Sequence, residues 1–152
     1  MANLDELYRE IILDHYRAPR NRGELPSPPA LRVEGFNPLC GDEVTLYLDV
    51  RDGTLADIKV TGRGCSISQS SSSLMSAAVK GQPLDKVREV ISDFKAMMAV
   101  HASSLERPDV PVEVDLRKIG ELAALQGVVR FPVRIKCATL AWNALTQGLD
   151  EL

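Results

Sequence analysis

Residues 44–60, VTLYLDVRDGTLADIKV, decide the fold of this 152-residue chain. Apolar residues alternate with polar ones on both sides of Asp52-Gly53, which is the pattern of two strands that each bury one face. The Asp-Gly pair also adopts the positive φ angles that a tight hairpin requires. The stretch therefore predicts an antiparallel hairpin, with Ala56, Ile58 and Val60 on the apolar face of its second strand.

Further strand and helix signals extend outward from this hairpin. Alternation at Leu31 and Val33 predicts a third strand, and a first helix is expected to begin after Asn3 and to end before Pro19. Helices are also expected at residues 65–79, from 83 to a loop at 103–111, at about 115–126, and from about 137 onward. This order predicts one α+β domain over residues 1–152, in which several helices pack on one side of a small antiparallel sheet.

The composition argues against several classes of protein. With 18 basic and 21 acidic residues the net charge is −3, whereas a nucleic-acid-binding surface needs a basic excess. The longest uncharged stretch, residues 64–79, is serine-rich and shorter than the roughly 20 apolar residues that cross a bilayer. The first residues do not resemble a signal peptide. We therefore expect a cytoplasmic protein with neither nucleic acid nor membrane as a partner.

The three cysteines all lie at predicted element ends. Cys40 is in a loop before a strand, and Cys65 and Cys137 are each expected at the start of a helix, where the helix dipole favours a thiolate. Three cations close in sequence would stabilise the same negative charge; they are Arg63, Arg134 and Lys136. Thiolates of this kind suit either metal coordination or sulfur chemistry.

Asp42 can complete a set of four ligands with these cysteines. Three thiolates and one carboxylate would close a tetrahedral zinc site of net charge 2 − 4 = about −2, which the nearby cations would offset. From the residues alone, free cysteines that act as small buried hydrophobes remain an alternative. The absence of a Cys-x-x-Cys pair argues against a zinc ribbon and against thioredoxin-type redox chemistry.

The motifs that contain the cysteines resemble the IscU/SufU family of iron–sulfur cluster assembly proteins, which is similar to NifU N-terminal domains. The resemblance is carried by NPLCGD at 37–42, GCSIS at 64–68, IKCATLAW at 135–142 and ILDHYRAPRN at 12–21. It covers nearly the whole chain. It implies a sheet-plus-helices fold with Cys40, Asp42, Cys65 and Cys137 gathered at one end. It also implies a pyridoxal-phosphate cysteine desulfurase as partner, with downstream cluster-assembly proteins.

Two features resemble the SufU subgroup more than the scaffold subgroup, IscU. Lys136 stands where scaffold proteins carry a histidine, and the path from Cys65 to Cys137 is longer, with the extra length expected around residues 95–120. The SufU resemblance implies a tightly bound zinc and sulfur accepted as a persulfide. The alternative is a scaffold on which a [2Fe-2S] cluster, or iron, occupies the same site.

The same resemblance, together with the position of Cys40 in a loop, implies that Cys40 is the sulfur acceptor. Arg63, Arg134 and Lys136 are expected to surround the ligands, and the protein would act as a sulfurtransferase-like carrier more than as a stand-alone enzyme. His15 is expected to serve packing or hydrogen bonding, and His101 to face solvent. The serines at 68–73 are expected to allow close helix packing, with some facing water.

Overall fold

The computed structural model describes residues 4–38, 41–106 and 120–152. Three strands form one antiparallel sheet in the order β1-β2-β3. The strands are β1 Leu31–Asn37, β2 Asp42–Arg51 and β3 Thr54–Arg63. The helices are α1 Leu4–Arg17, α2 Ser66–Val79, α3 Leu84–Glu106, a 3₁₀ helix Gly120–Arg130 and α4 Pro132–Asp150. The predicted α+β class, with helices on one side of a small sheet, is confirmed.

The hairpin between β2 and β3 forms as the sequence predicts. Asp52 and Gly53 have φ angles of 50° and 74°, which are the left-handed values of a tight hairpin turn. One expected position is wrong, because Leu55 is fully buried and Ala56 is only half-buried. The pairing register shifts between Asp49 and Val50, and this irregularity turns Leu55 toward the core.

Helix α4 lies directly on the inner face of the sheet. A Cβ atom at Gly148 would stand 2.8 Å from Val33, and a Cβ atom at Gly35 would stand 3.3 Å from Ala144 and from Leu140. Residue numbers along α4 therefore fall as residue numbers along β1 rise. This antiparallel alignment brings the first turns of α4 to the end of the sheet where β1 leads into β2.

A seam of buried and part-buried hydrogen bonds joins α1 and the segment after it to α2. Ser70 Oγ donates to the carbonyl of Ile12 over 2.8 Å, and the Ser73 hydroxyl lies 2.7 Å from His15 Nδ1. The backbone N–H of Arg20 also donates to Ser73 Oγ. The expectation for His15 is thus met, since its ring is buried and hydrogen-bonded. The serines pack closely as expected, but those at 68 and 70–73 are all buried, so none of them faces water.

The helix boundaries in the last third differ from those predicted. Helix α3 continues to Glu106, so residues 103–106 of the expected loop are helical, and residues 107–119 lie outside the described part. The 3₁₀ helix continues to Arg130, beyond the end expected at about residue 126. Helix α4 begins at Pro132 and not near Cys137, because proline has a fixed φ suited to a first helical turn.

None of the helices in the described residues is both long enough and apolar enough to cross a membrane. Residues 95–106 of the expected insertion at 95–120 belong to α3, and the side chain of His101 lies outside the described residues. That residues 1–152 form a single domain stays a prediction.

Candidate metal centre

Three of the four predicted ligands come together at one end of the sheet. The carboxylate of Asp42 and the sulfurs of Cys65 and Cys137 provide ligand atoms that all lie within 4.8 Å of one another. Each belongs to a different element, since Asp42 begins β2, Cys65 precedes α2 and Cys137 lies in α4. The fourth predicted ligand, Cys40, lies outside the described residues.

The carboxylate of Asp42 is fully buried. Its Oδ1 accepts a hydrogen bond of 3.0 Å from the backbone N–H of Cys65. Within residues 4–38, 41–106 and 120–152, its Oδ2 has no hydrogen-bond partner although it is buried. A buried carboxylate oxygen is costly without a partner, and a cation between it and the two sulfurs would supply one. The residues present therefore fit a metal ion.

The close approach of Asp42 to Cys65 depends on Gly64. A Cβ atom at Gly64 would collide with the Asp42 carboxylate. Only a residue without a side chain lets the segment before α2 pass beside this carboxylate. The Gly-Cys pair at 64–65 is thus a steric requirement of the site.

Cys65 is the N-cap residue of α2, which confirms its predicted position at the start of a helix. Its backbone is extended, with φ −71° and ψ 170°, and its Sγ accepts a hydrogen bond of 3.5 Å from the backbone N–H of Ser68. The N–H groups and the dipole of the first turn both favour negative charge on this sulfur. The half-buried sulfur is therefore suited to coordinate a cation as a thiolate.

Cys137 is buried, but it does not stand at a helix N-terminus as expected. Because α4 begins at Pro132, Cys137 lies in the second turn, where its thiol can donate to the carbonyl of Val133 over 3.9 Å. The dipole effect falls off within the first turn of a helix. The positive charge beside Cys137 must come from a side chain instead.

Arg134 supplies that positive charge. It precedes Cys137 by three residues, so both side chains lie on the same face of α4. A side-chain hydrogen bond to Cys137, followed by the negative charges of Cys65 and Cys137, raises the pKa of the Arg134 guanidinium. The guanidinium therefore stays charged and interacts with both sulfurs.

The other two predicted cations are exposed. Lys136 lies next to Cys137 in sequence on the solvent side of α4. Arg63 forms an exposed ion pair with Glu43, with 3.2 Å between Nε and Oε2. A role of Arg63 or Lys136 around the ligands stays a prediction.

Sequence reasoning assigned no role to Asn37, which the structure brings to the site. Asn37 is 5% exposed and is the cross-strand partner of Asp42. Its carbonyl accepts a hydrogen bond of 2.8 Å from the N–H of Gly41, which has a φ of 72°. The strand pattern could have indicated Asn37, because it is a polar residue at the next inward-facing position of β1 after Val33 and Gly35.

Sulfur and carboxylate ligands in this arrangement suit a borderline-soft divalent metal. Structural and catalytic zinc sites are built from Cys and His, with Asp or Glu as oxygen ligands, in tetrahedral geometry. Two sulfurs and one carboxylate oxygen within 4.8 Å are three of four such positions. The same soft ligands also bind iron–sulfur clusters.

The family model for the NifU-like N terminal domain matches residues 7–138, a span that includes Asp42, Cys65 and Cys137. The chain belongs to the family of NifU-like N-terminal domains. The resemblance to IscU and SufU proteins is thereby confirmed.

Relatives in the NifU-like family are named either for sulfur transfer or for cluster assembly. The chain is 41% identical, over 99% of its length and 94% of the relative, to the zinc-dependent sulfurtransferase SufU of Bacillus subtilis (strain 168). It is 33% identical, over 99% of its length and 87% of the relative, to the iron-sulfur cluster assembly scaffold protein IscU of Streptococcus pyogenes serotype M1. Relatives of this chain are thus named for sulfur transfer as well as for cluster assembly.

Solved structures of NifU-like proteins have the same fold. A Fervidobacterium islandicum AW-1 protein, assigned as an iron-sulfur cluster assembly scaffold protein for the SUF system, superposes with a TM-score of 0.80 at 29% identity. The match covers 97% of this chain and 99% of that one. The N-terminal NifU-like protein of Brucella abortus, at 23% identity, has a TM-score of 0.77 and covers 97% and 95% of the two chains.

Proposed function

We propose that this protein is a zinc-dependent sulfur acceptor in iron–sulfur cluster assembly, which takes persulfide sulfur from a cysteine desulfurase. The observation that carries the proposal is the juxtaposition of Asp42, Cys65 and Cys137, with a buried Asp42 oxygen that lacks a partner among the described residues. The similarity to a zinc-dependent sulfurtransferase along nearly the full chain supports the choice of zinc.

Cys40 is the fourth ligand in this proposal and the residue that accepts sulfur. It lies two positions before Asp42, and two residues of chain span about 7 Å at most, so its sulfur stays within reach of the centre. Cys65 is fixed as the cap of α2 and Cys137 is buried inside α4. A cysteine in the β1–β2 loop can leave the centre with less rearrangement than either of these.

Cys40, the other three ligands and Arg134 each have a distinct part in the transfer. Bound zinc keeps the cysteine sulfurs ionised and does no redox chemistry of its own. The Cys40 thiolate attacks the terminal sulfur of the desulfurase persulfide, so a new S–S bond forms on Cys40, the donor S–S bond breaks, and the desulfurase cysteine leaves as a thiolate. Asp42, Cys65 and Cys137 hold the centre together meanwhile, and the charged Arg134 offsets its negative charge.

The partners follow from this chemistry. The donor is a pyridoxal-phosphate cysteine desulfurase, and the receivers of the sulfur are downstream cluster-assembly proteins. Both act in the cytoplasm in this proposal.

Cluster scaffolding is the second candidate function. It is favoured by the relatives that are named scaffold proteins, and by a ligand set that also suits iron. Lys136, in place of the histidine expected of scaffold proteins, favours sulfur transfer. Metal analysis after purification without added iron separates the two, because one tightly held zinc per chain supports transfer and a stable brown cluster without zinc supports scaffolding.

The acceptor assignment is tested by replacing Cys40 with serine. The zinc-loaded protein is mixed with a purified cysteine desulfurase and cysteine, and persulfide is located by mass spectrometry of intact and digested protein. We expect one added sulfur on Cys40 of the parent and none on Cys40→Ser. Full persulfide loading of the serine variant would contradict the assignment.

A further inference from the structure

Helix α2, which Cys65 caps, lies against α4, which contains Cys137. The hydroxyl of Ser71, in the second turn of α2, links the two helices directly. Its Oγ donates a hydrogen bond of 2.5 Å to the carbonyl of Ala138 and accepts one of 3.0 Å from Nε1 of Trp142. Ser71, Ala138 and Trp142 are all fully buried. These bonds therefore form inside the protein, where water does not compete for them.

Ser71 contacts two groups of the same turn of α4. In an α-helix the carbonyl of one residue accepts from the N–H four residues later, so Ala138 and Trp142 are one turn apart. The indole of Trp142 is stacked on Phe94 of α3, with 4.1 Å between the ring centroids and 10° between the planes. This stack fixes the direction of the indole N–H, which can only donate. The link between α2 and α4 is therefore held from both sides.

The linked turn of α4 lies next to one ligand, and Ser71 lies close to another. Ala138 directly follows Cys137, and Ser71 follows Cys65 by less than two helical turns. The ligand atoms of the centre, including both sulfurs, lie within 4.8 Å of one another. Two sulfurs of a tetrahedral zinc site are about 3.8 Å apart when each zinc–sulfur bond is about 2.3 Å. A displacement of α4 relative to α2 would change this spacing.

We propose that Ser71 is a positioning residue of the metal centre, which fixes α4 on α2 and so sets the spacing of the Cys65 and Cys137 sulfurs. A hydroxyl suits this position because it both donates and accepts within the volume of a small side chain. Alanine would fit the same space, but it would leave the buried N–H of Trp142 without its acceptor. The inference rests on the proposed zinc-binding function.

Replacement of Ser71 by alanine tests the proposal, with Ser70→Ala as the matched control. Ser70 precedes Ser71 in α2 and is equally buried, and its Oγ donates to the carbonyl of Ile12 in α1. Each substitution removes a hydroxyl that binds another helix, but only Ser71 binds the helix that contains Cys137. Zinc affinity is measured by chelator competition at a temperature at which each metal-free variant is folded. The visible spectrum of the cobalt-substituted protein reports the geometry of the ligands.

A second measurement follows the link itself in the metal-free protein. Trp142 is the only tryptophan of the chain, so its indole N–H gives a single resonance in the NMR spectrum. We expect hydrogen exchange of this N–H to be faster in Ser71→Ala than in the parent and unchanged in Ser70→Ala. An exchange rate in Ser71→Ala equal to that of the parent would contradict the role of Ser71 in holding α4.

We expect Ser71→Ala to lower zinc affinity about 10-fold and to shift the cobalt spectrum, whereas the zinc affinity of Ser70→Ala stays within about twofold of the parent. Equal losses of affinity in the two variants, or an unchanged affinity in Ser71→Ala, would overturn the proposal.

If Ser71→Ala does not fold, Trp142→Phe is measured instead. It keeps a ring against Phe94 and removes one of the two bonds of Ser71, so a several-fold loss of zinc affinity is expected and an unchanged affinity contradicts the inference. A parent protein that binds no zinc overturns the proposed function together with this inference, whereas normal zinc binding in Ser71→Ala overturns this inference alone.

Discussion

The backbone N–H of Cys65 donates a hydrogen bond of 3.0 Å to Oδ1 of Asp42, which precedes it by 23 residues. This bond joins the first residue of β2 to the residue that caps α2. The other oxygen of this carboxylate is buried and has no hydrogen-bond partner among the described residues. The position of one ligand thus fixes the orientation of another.

Replacement of Asp42 by asparagine separates metal binding from folding. The amide oxygen of asparagine can still accept the bond from Cys65, but the negative charge is lost. We expect zinc affinity to fall at least 10-fold, while the metal-free protein keeps or gains stability because a buried charge is removed. Chelator competition and urea unfolding of the metal-free protein measure the two effects, and an unchanged zinc affinity would contradict the role of Asp42 as a ligand.

Replacement of Gly64 by alanine should displace the Asp42 carboxylate, because the added Cβ atom collides with it. Overpacking of this kind costs about 1–3 kcal/mol in the free energy of unfolding, and zinc binding should weaken with it. Gly127→Ala is the matched control, since a Cβ atom there meets no described atom within 4 Å. Urea unfolding and chelator competition are the measurements, and similar behaviour of the two variants would refute the steric account.

Arg134 should matter more to the centre than Lys136, although both are exposed cations on α4. Its guanidinium is hydrogen-bonded to Cys137 and lies in the field of both sulfurs, which raises its pKa. Arg134→Gln should lower zinc affinity about 10-fold, and Arg134→Lys should recover only part of this because it keeps the charge and loses the planar fork. Lys136→Gln should leave zinc affinity nearly unchanged; equal losses at the two positions would argue against a specific role for Arg134.

Asp14 provides a test of pH dependence away from the centre. A side-chain hydrogen bond from Arg20, and then the charge of Arg20, lower the pKa of Asp14 below its usual value. A carboxyl group with a depressed folded pKa adds stability above its unfolded pKa and loses it as the pH falls through the folded pKa. Asp14→Asn should therefore lower stability at pH 7 and have no effect at a pH below the folded pKa. Urea unfolding at both pH values checks this, and a difference that persists in acid would contradict it.

The sequence predicts the parts of the fold that depend on local chemistry. Asp52-Gly53 specifies its turn because few other pairs adopt two positive φ angles, and Cys65 follows a glycine and begins a polar helix. The inward position of Leu55 and the start of α4 at Pro132 were missed. The first depends on a register irregularity set by pairing with β2, and the second on Pro132, which occupies the first turn of a helix that was expected only from about residue 137.

The sequence predicts which residues form the candidate centre, but it does not predict how they are arranged in space. Four predicted ligands were available from cysteine motifs and their resemblance to a family, and three of them are described and cluster. The interaction of Arg134 with Cys65, which belongs to a different element, depends on how α4 lies on the sheet. That alignment results from close packing at Gly35 and Gly148, and no local pattern in the sequence reports which helix those glycines will meet.

The central claim is that a zinc centre built on Asp42, Cys65 and Cys137 prepares this protein to accept sulfur. Its most direct test is the turnover of a purified cysteine desulfurase with the zinc-loaded protein, with the zinc-stripped protein, and with the stripped protein after zinc is restored. We predict a large stimulation by the zinc-loaded protein, its loss on stripping, and its recovery with zinc. Equal stimulation by the loaded and the stripped protein would contradict the account.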